Sequence, residues 1–249
     1  MPAAYADGGI AVARTDANSL AAHAQLLQKA HSGHIDLYFL GDSITRRWGT
    51  ADPQYHEFYE NWLHNFQGWN AADFGWGGDT TGNILWRLEQ GELDGVHPRV
   101  IVLLAGTNDL GAAFSRHEPA RAAEDEVVAG IRALLSSCRS RAPRATLILV
   151  SITPRIDDPA FSPEIRAINR RIAHLADGRR IRYLDIATRM RDERGALRPG
   201  IVGADGLHLA VGGYQVWADA LTPLLRSLLG PRAATDEAPP PSRDPGLGH

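Results

Sequence analysis

Apolar positions along this chain fall into two kinds of run. The first is short and unbroken: IDLYFL at 35–40, RVIVLLA at 99–105 and ATLILVS at 145–151. A strand with one wet face would alternate apolar and polar residues. These blocks do not, so they predict strands buried on both sides. The second kind is longer and amphipathic. In NSLAAHAQLLQKAH (18–31), Leu20, Ala24, Leu27 and Ala30 recur near helical spacing after an Asn-Ser start and before Gly33. Residues 53–65 form a second such stretch, and 80–90 opens on two threonines suited to cap a helix. A long helix is predicted over 118–140, opening on Glu118-Pro119, with others over 163–177 and 212–229. A short strand before Phe74 and one over 181–186 complete the alternation.

Strand and helix in alternation, with strands this continuous, predict an α/β protein. The expected architecture is a three-layer α/β/α sandwich with a mostly parallel five-stranded sheet in flavodoxin-like order. No repeat period is visible, so residues 1–230 read as one domain. The tail 231–249, PRAATDEAPPPSRDPGLGH, is too polar and Pro-rich to build a core and is expected to be flexible.

Composition narrows the partners. A formal charge of −3 argues against a nucleic-acid binder, which carries a basic face. No apolar run reaches the roughly 18 residues of a membrane span. The first residues, MPAAYADGG, lack the basic and apolar regions of a secretory signal, which makes the cytoplasm the default expectation. Cys138, the sole cysteine, has no partner for an intrachain disulfide and falls in a predicted helix, where packing is a commoner role than nucleophilic attack.

Ligands of open parallel sheets bind outside the carboxyl ends of the strands, so the residues just after each strand carry the chemistry. Here they are Gly41-Asp42-Ser43, the run Gly75-Trp76-Gly77-Gly78-Asp79-Thr80, then Gly106-Thr107-Asn108-Asp109, and last Asp205-Gly206-Leu207-His208. Singly each has a plain reading as a helix cap or tight turn. Together they hold the parts for acyl transfer. Ser43 is a nucleophile needing a base, His208 titrates near neutrality, and Asp205 is placed to fix the imidazole tautomer. The N–H groups of Ser43 and Gly78 and the Asn108 amide are candidate oxyanion donors.

These four blocks, in this order, resemble the SGNH, or GDSL, hydrolases. The stretch FGWGGDTTGNILWRLEQGEL followed by RVIVLLAGTND looks like the branch related to platelet-activating-factor acetylhydrolase catalytic subunits. The resemblance spans about residues 35–229. It implies Ser43 as nucleophile, Gly78 and Asn108 as oxyanion residues, Asp205 and His208 as acid and base, and no metal or organic cofactor. Gly78 is preferred to its neighbour Gly77 because it directly precedes Asp79-Thr80. The resemblance further implies a small-molecule ester substrate with a short, acetyl-type acyl group, and an enzyme that can form a homodimer. Carbohydrate O-acetylesterase, lysophospholipase and thioesterase activities stay open, as does a non-enzymatic phosphate- or cofactor-binding module built on Gly75–Thr80. That loop, however, has neither G-x-G-x-x-G nor the P-loop pattern. Asp42, Trp48, Trp76 and Gly77 are candidate substrate contacts. Both tryptophans could equally fill the core, and Asp42 could organise the turn. Arg46 and Arg47 could meet an anionic group or lie on a solvated helix face, and Thr153-Pro154-Arg155 could form part of the rim.

Overall fold

Every apolar block becomes a strand. In the computed structural model, which describes residues 9–247, the chain runs α1 (Ala17–Ala30), β1 (Leu37–Gly41), α2 (Ser43–Gly49), α3 (His56–Phe66), β2 (Ala71–Gly75), α4 (Thr81–Glu89), β3 (Val100–Leu104), α5 (Thr107–Ser115), α6 (Ala120–Arg141), β4 (Thr146–Val150), α7 (Phe161–Ala173), β5 (Ile181–Leu184) and α8 (Val211–Leu229). The sheet order is β2-β1-β3-β4-β5, and every pairing is parallel.

Alternation of side chains across a strand divides each one between two cores. Tyr38, Leu40, Phe74, Ile101, Leu103, Leu147 and Leu149 face α1, α4, α5, α6 and α7. Leu37, Phe39, Val102, Leu104, Ile148 and Val150 face α2, α3 and α8. Both faces are covered, which is why the strands show no polar alternation. Among the described residues, no helix is long and apolar enough to cross a membrane.

From β1 the chain steps outward to β2 and then crosses back to β3 on the other side of β1. The loops after β1 and β3 therefore diverge and leave a crevice at the carboxyl edge. The first turn of α2 sits tightly in that crevice. A Cβ on Gly75 would stand 2.7 Å from Asp42 O and closer still to Arg46 N, and one on Gly41 would stand 2.5 Å from Leu104 O. Glycine at both strand ends is what lets α2 begin there.

Two details depart from the sequence expectation, and one resolves an alternative it left open. α7 ends at Ala173, short of 177, and the Asn108-Asp109 segment, readable as a turn or a helix start, opens the complete helix α5. The segment after 230 was expected to be a flexible tail. It has almost no regular structure, yet it is laid along the β2 edge by hydrogen bonds from Ala233 N to Gly68 O (2.8 Å), Gly68 N to Asp236 Oδ2 (2.6 Å), His34 N to Glu237 O (2.8 Å) and Thr50 Oγ1 to Ser242 O (2.8 Å). These bonds run to the domain surface, a pairing that composition cannot report. At the other end, residues 9–16 form a strap. Val12 bonds Gly82 O and accepts from Asn83 Nδ2, at 2.9 and 2.8 Å, and Ala11 is buried in the core.

Gly75→Ala is expected to destabilise the fold by about 1–3 kcal/mol, because the new methyl meets backbone that cannot swing aside. Thermal denaturation checks this; an unchanged Tm would mean α2 is not held where the structure puts it.

Candidate active site

Ser43 is the first residue of α2, projected from the carboxyl end of β1 by Gly41 and Asp42. Asp42 is the N-cap, its Oδ1 accepting from Ile44 N at 2.9 Å. With that N–H occupied, the Ser43 N–H is one of the first-turn donors that no helical carbonyl can reach. Ser43 Oγ lies 2.8 Å from His208 Nε2, across 165 positions of sequence. On the far side of the ring, His208 Nδ1 is 2.7 Å from Asp205 Oδ2. The other Asp205 oxygen, Oδ1, accepts from His208 N at 2.9 Å and Leu207 N at 3.0 Å. This turn fixes the carboxylate relative to the ring, and the loop carrying it is pinned to β4's outgoing segment by Ile156 N to Gly206 O (2.7 Å).

Electrostatics suit a neutral base beside a charged acid. Burial draws the His208 imidazole below its ordinary value; the Asp205 hydrogen bond opposes that, and the Arg47 charge adds to it. Burial would raise the Asp205 carboxyl, but the two backbone N–H donors and the ring hold it well below the usual carboxylate range. Arg47 Nη1 reaches the same Asp205 Oδ2 at 3.2 Å, so α2 carries both the serine and a cation shared with the acid.

Gly78 and Asn108, the residues expected to act beside the serine, are joined to one loop. Gly78 has φ +76°, a conformation that glycine adopts without penalty. Asn108, in the first turn of α5, donates from Nδ2 to Asp79 O at 2.8 Å, which ties the amide to the Gly77-Gly78-Asp79 loop. The next residue, Asp109, accepts from Thr81 N (2.9 Å) and Thr81 Oγ1 (2.5 Å), joining the starts of α4 and α5. Behind the loop lies a buried charge cluster. Arg87 donates from Nε to Asp79 Oδ2 at 2.7 Å, from Nη1 to Glu92, and from Nη2 to Phe74 O (3.1 Å) and Gly41 O (3.3 Å).

Not every residue suggested as a substrate contact reaches the crevice. Trp48 is fully buried, packed between Tyr214 and Trp217 with ring centroids 4.9 Å from each, so it fills the core. Trp76 is buried too, its Nε1 donating to Ser19 Oγ at 3.0 Å and its ring covered by the Arg46 guanidinium at 4.6 Å. Asp42 has no exposed surface and caps α2 instead. Gly77 alone of that group stays at the loop's surface. Proximity in sequence to a strand end misled here: the packing around each side chain, not its distance along the chain from Ser43, decides which way it points. Arg46 is paired with Asp52 in the interior rather than offered to a ligand. Arg155, suggested as part of the rim, is buried and reaches Thr107 and Asp157. Burial pushes the Cys138 thiol up to about 12, which leaves it an apolar packing residue. A cavity of about 320 Å³ between α7 and the end of β5 is not lined by Ser43 or His208. Arg87 and Arg14, which both bond Asp79 in the loop after β2, escaped the sequence reading because neither follows a strand.

The GDSL-like lipase/acylhydrolase family profile matches residues 39–216 of the chain. The chain belongs to this family. It is 29% identical over 245 residues to the bovine (Bos taurus) platelet-activating factor acetylhydrolase IB subunit alpha1, covering 92% of both chains. It is 33% identical over 199 residues to the alpha2 subunit from Rattus norvegicus, covering 78% of this chain and 77% of that one. A Bacteroides fragilis protein named as a candidate acylhydrolase shares the fold, with TM-score 0.65 and 22% identity over 87% of this chain and 100% of that one. Membership makes this protein a hydrolase of the ester-cleaving acylhydrolase class, and its motif serine is the one that meets His208.

One site residue has a cost that pH exposes. Burial pushes the Asp42 carboxyl up to about 7, and its Oδ2 has no hydrogen-bond partner among the described residues. A raised folded-state pKa means stability that is complete below pH 4 and lost as pH rises through 7. Relative to the wild type, Asp42→Asn is therefore expected to gain about 1–4 kcal/mol between pH 4 and 8, read from denaturant midpoints across that range. A pH-independent difference would show that the Asp42 carboxyl titrates alike in the folded and unfolded chains.

Proposed function

We propose that this family member is a serine esterase that removes a short, acetyl-type acyl group from an alcohol through an acyl-enzyme. The observation that carries this reading is the continuous chain from Ser43 Oγ to His208 Nε2 (2.8 Å) and from His208 Nδ1 to Asp205 Oδ2 (2.7 Å). Short-acyl preference is supported by relatives named as acetylhydrolases at 29–33% identity over most of this chain.

In this mechanism neutral His208 accepts the Ser43 proton at Nε2 as Oγ attacks the ester carbonyl carbon. The carbonyl oxygen becomes an oxyanion and takes hydrogen bonds from Ser43 N, Gly78 N and Asn108 Nδ2. The imidazolium, stabilised through Nδ1–H by Asp205, returns its proton to the alkoxide, which leaves as an alcohol. A water molecule then repeats the cycle on the acyl-enzyme and releases the carboxylic acid. Asp205 serves throughout as an ionised acceptor, in keeping with its lowered pKa.

Fluorophosphonate labelling with intact-mass readout tests the nucleophile: one adduct per chain is expected, and none in Ser43→Ala. Ser43→Ala and His208→Ala are each expected to lower kcat by about 10⁴-fold or more without multiplying in the double variant, since the pair acts as a unit. Wild-type activity in His208→Ala would overturn the reading.

The pH profile of kcat/KM should rise through one ionisation below 6.5, because the lowered His208 pKa keeps the base neutral into mildly acidic solution. Arg47→Gln removes a charge that lowers that pKa and should shift the rising limb to higher pH. On p-nitrophenyl esters from acetate to decanoate, rates should fall steeply beyond butyrate, with acetylated xylan run in parallel to test a sugar ester. A profile rising toward decanoate would replace the acetyl-type substrate with a long-chain one.

A further inference from the structure

The Gly77–Gly78 peptide presents an oxyanion donor, yet it is the least sterically constrained peptide of the site. A Cβ on Gly77 would meet nothing within 4 Å, and one on Gly78 would meet only Arg14 Nη1, at 3.5 Å. With glycine on both sides, the peptide plane can rotate by paired changes in ψ of Gly77 and φ of Gly78. Its neighbours are tied down: Asp79 N donates to Trp76 O at 3.4 Å, and Asp79 O accepts from Asn108. Among the described residues, the one hydrogen bond to the Gly77–Gly78 peptide itself is from Arg14 Nη1 to Gly77 O, at 3.1 Å.

We infer that Arg14 is a positioning residue that latches this peptide so that the Gly78 N–H faces the oxyanion. In a trans peptide the C=O of one residue and the N–H of the next lie in one plane and point in opposite directions. Holding Gly77 O outward on Arg14 therefore turns the Gly78 N–H inward. Rotation of the same plane would do double harm, withdrawing the donor and presenting a carbonyl oxygen to the developing anion.

Arg14 is itself braced for this task. Its Nη1 also reaches Asp79 Oδ1 at 3.2 Å, while Nε and Nη2 lie 3.1 and 3.0 Å from Asp16 Oδ2. Asp16 is the N-cap of α1, accepting from Ser19 N at 2.9 Å. Ser19 in turn holds Trp76, the residue before the two glycines. The strap carrying Arg14 is anchored on α4 through Val12. Arg14 lies outside residues 39–216, the span that the family profile covers, so the latch is a feature of this chain's N-terminal segment rather than of its motif blocks.

The inference rests on Gly78 acting as an oxyanion donor, and the experiment separates the two. In the full chain, Arg14→Met is expected to lower kcat about 10- to 100-fold, part of the 10²–10³-fold that a lost oxyanion donor costs. KM should change less than about twofold, and the acid limb of the pH profile should stay in place. Affinity for an aryl boronate, whose serine adduct is tetrahedral and anionic, should fall by the same factor as kcat. Arg14→Lys should recover most of the loss, since an ammonium can also donate to Gly77 O. A kcat within about threefold of wild type in Arg14→Met, alongside a hundredfold loss in Asn108→Ala, would overturn the latch and leave the esterase reading intact. A loss of kcat without a matching loss of boronate affinity, or with a collapsed Tm, would make Arg14 a structural tether and equally overturn it. Full activity in Ser43→Ala would remove the underlying reading instead.

Discussion

At the carboxyl ends of β1 and β2, the Arg87 guanidinium is enclosed by protein and bonded on every side. It takes Gly41 O and Phe74 O from the two strands, Asp79 from the loop after β2 and Glu92 from beyond α4. Burial opposes its charge, but the Glu92 and Asp79 carboxylates hold it above the ordinary guanidinium range. A planar fork of donors can satisfy carbonyls and carboxylates at once, which a lysine ammonium could not do. The strand that launches Ser43 and the loop that presents Gly78 thereby share one rigid support. Removing a partner would leave an unpaired charge in the interior, a far larger cost than the net value of the pair.

On that support the site is assembled from segments spread along the whole chain. α2 is seated by the absence of side chains at Gly41 and Gly75. The acid–base turn is closed by Asp205 on its own backbone and pinned through Gly206. α4 and α5 are stapled at their starts by Asp109 and Thr81. The N-terminal strap reaches the Gly77–Asp79 loop from outside while Arg87 grips it from within. Between these anchors Gly77 and Gly78 are the positions with room around them: a Cβ on Gly77 would meet nothing within 4 Å, and one on Gly78 only Arg14 Nη1.

Charge is distributed with similar economy. Asp205 is close to half exposed, yet the His208 and Leu207 N–H groups and the His208 ring keep it ionised, while Arg47 shares its Oδ2. Asp42 sits in the opposite condition, buried with one oxygen unpartnered, and serves α2 through its cap. Adjacent carboxylate and serine in one motif thus do different work because one faces the core and the other the crevice.

Unbroken apolar blocks and amphipathic segments were enough to specify a parallel sheet between helical layers, since burial on both faces is a local constraint written strand by strand. The four polar blocks after strands were equally legible, because reactive groups must stand where backbone leaves the sheet, and their order identified the family. Sequence could not say which way each side chain turns. Trp48 and Trp76, next to the motif residues, point into the core, and Asp42 points at a backbone N–H. Nor could it reveal that residues after 230 lie along the β2 edge, or that Arg14 and Arg87 meet the same aspartate. Those outcomes depend on pairings between distant positions, and only folding brings such partners within reach of one another.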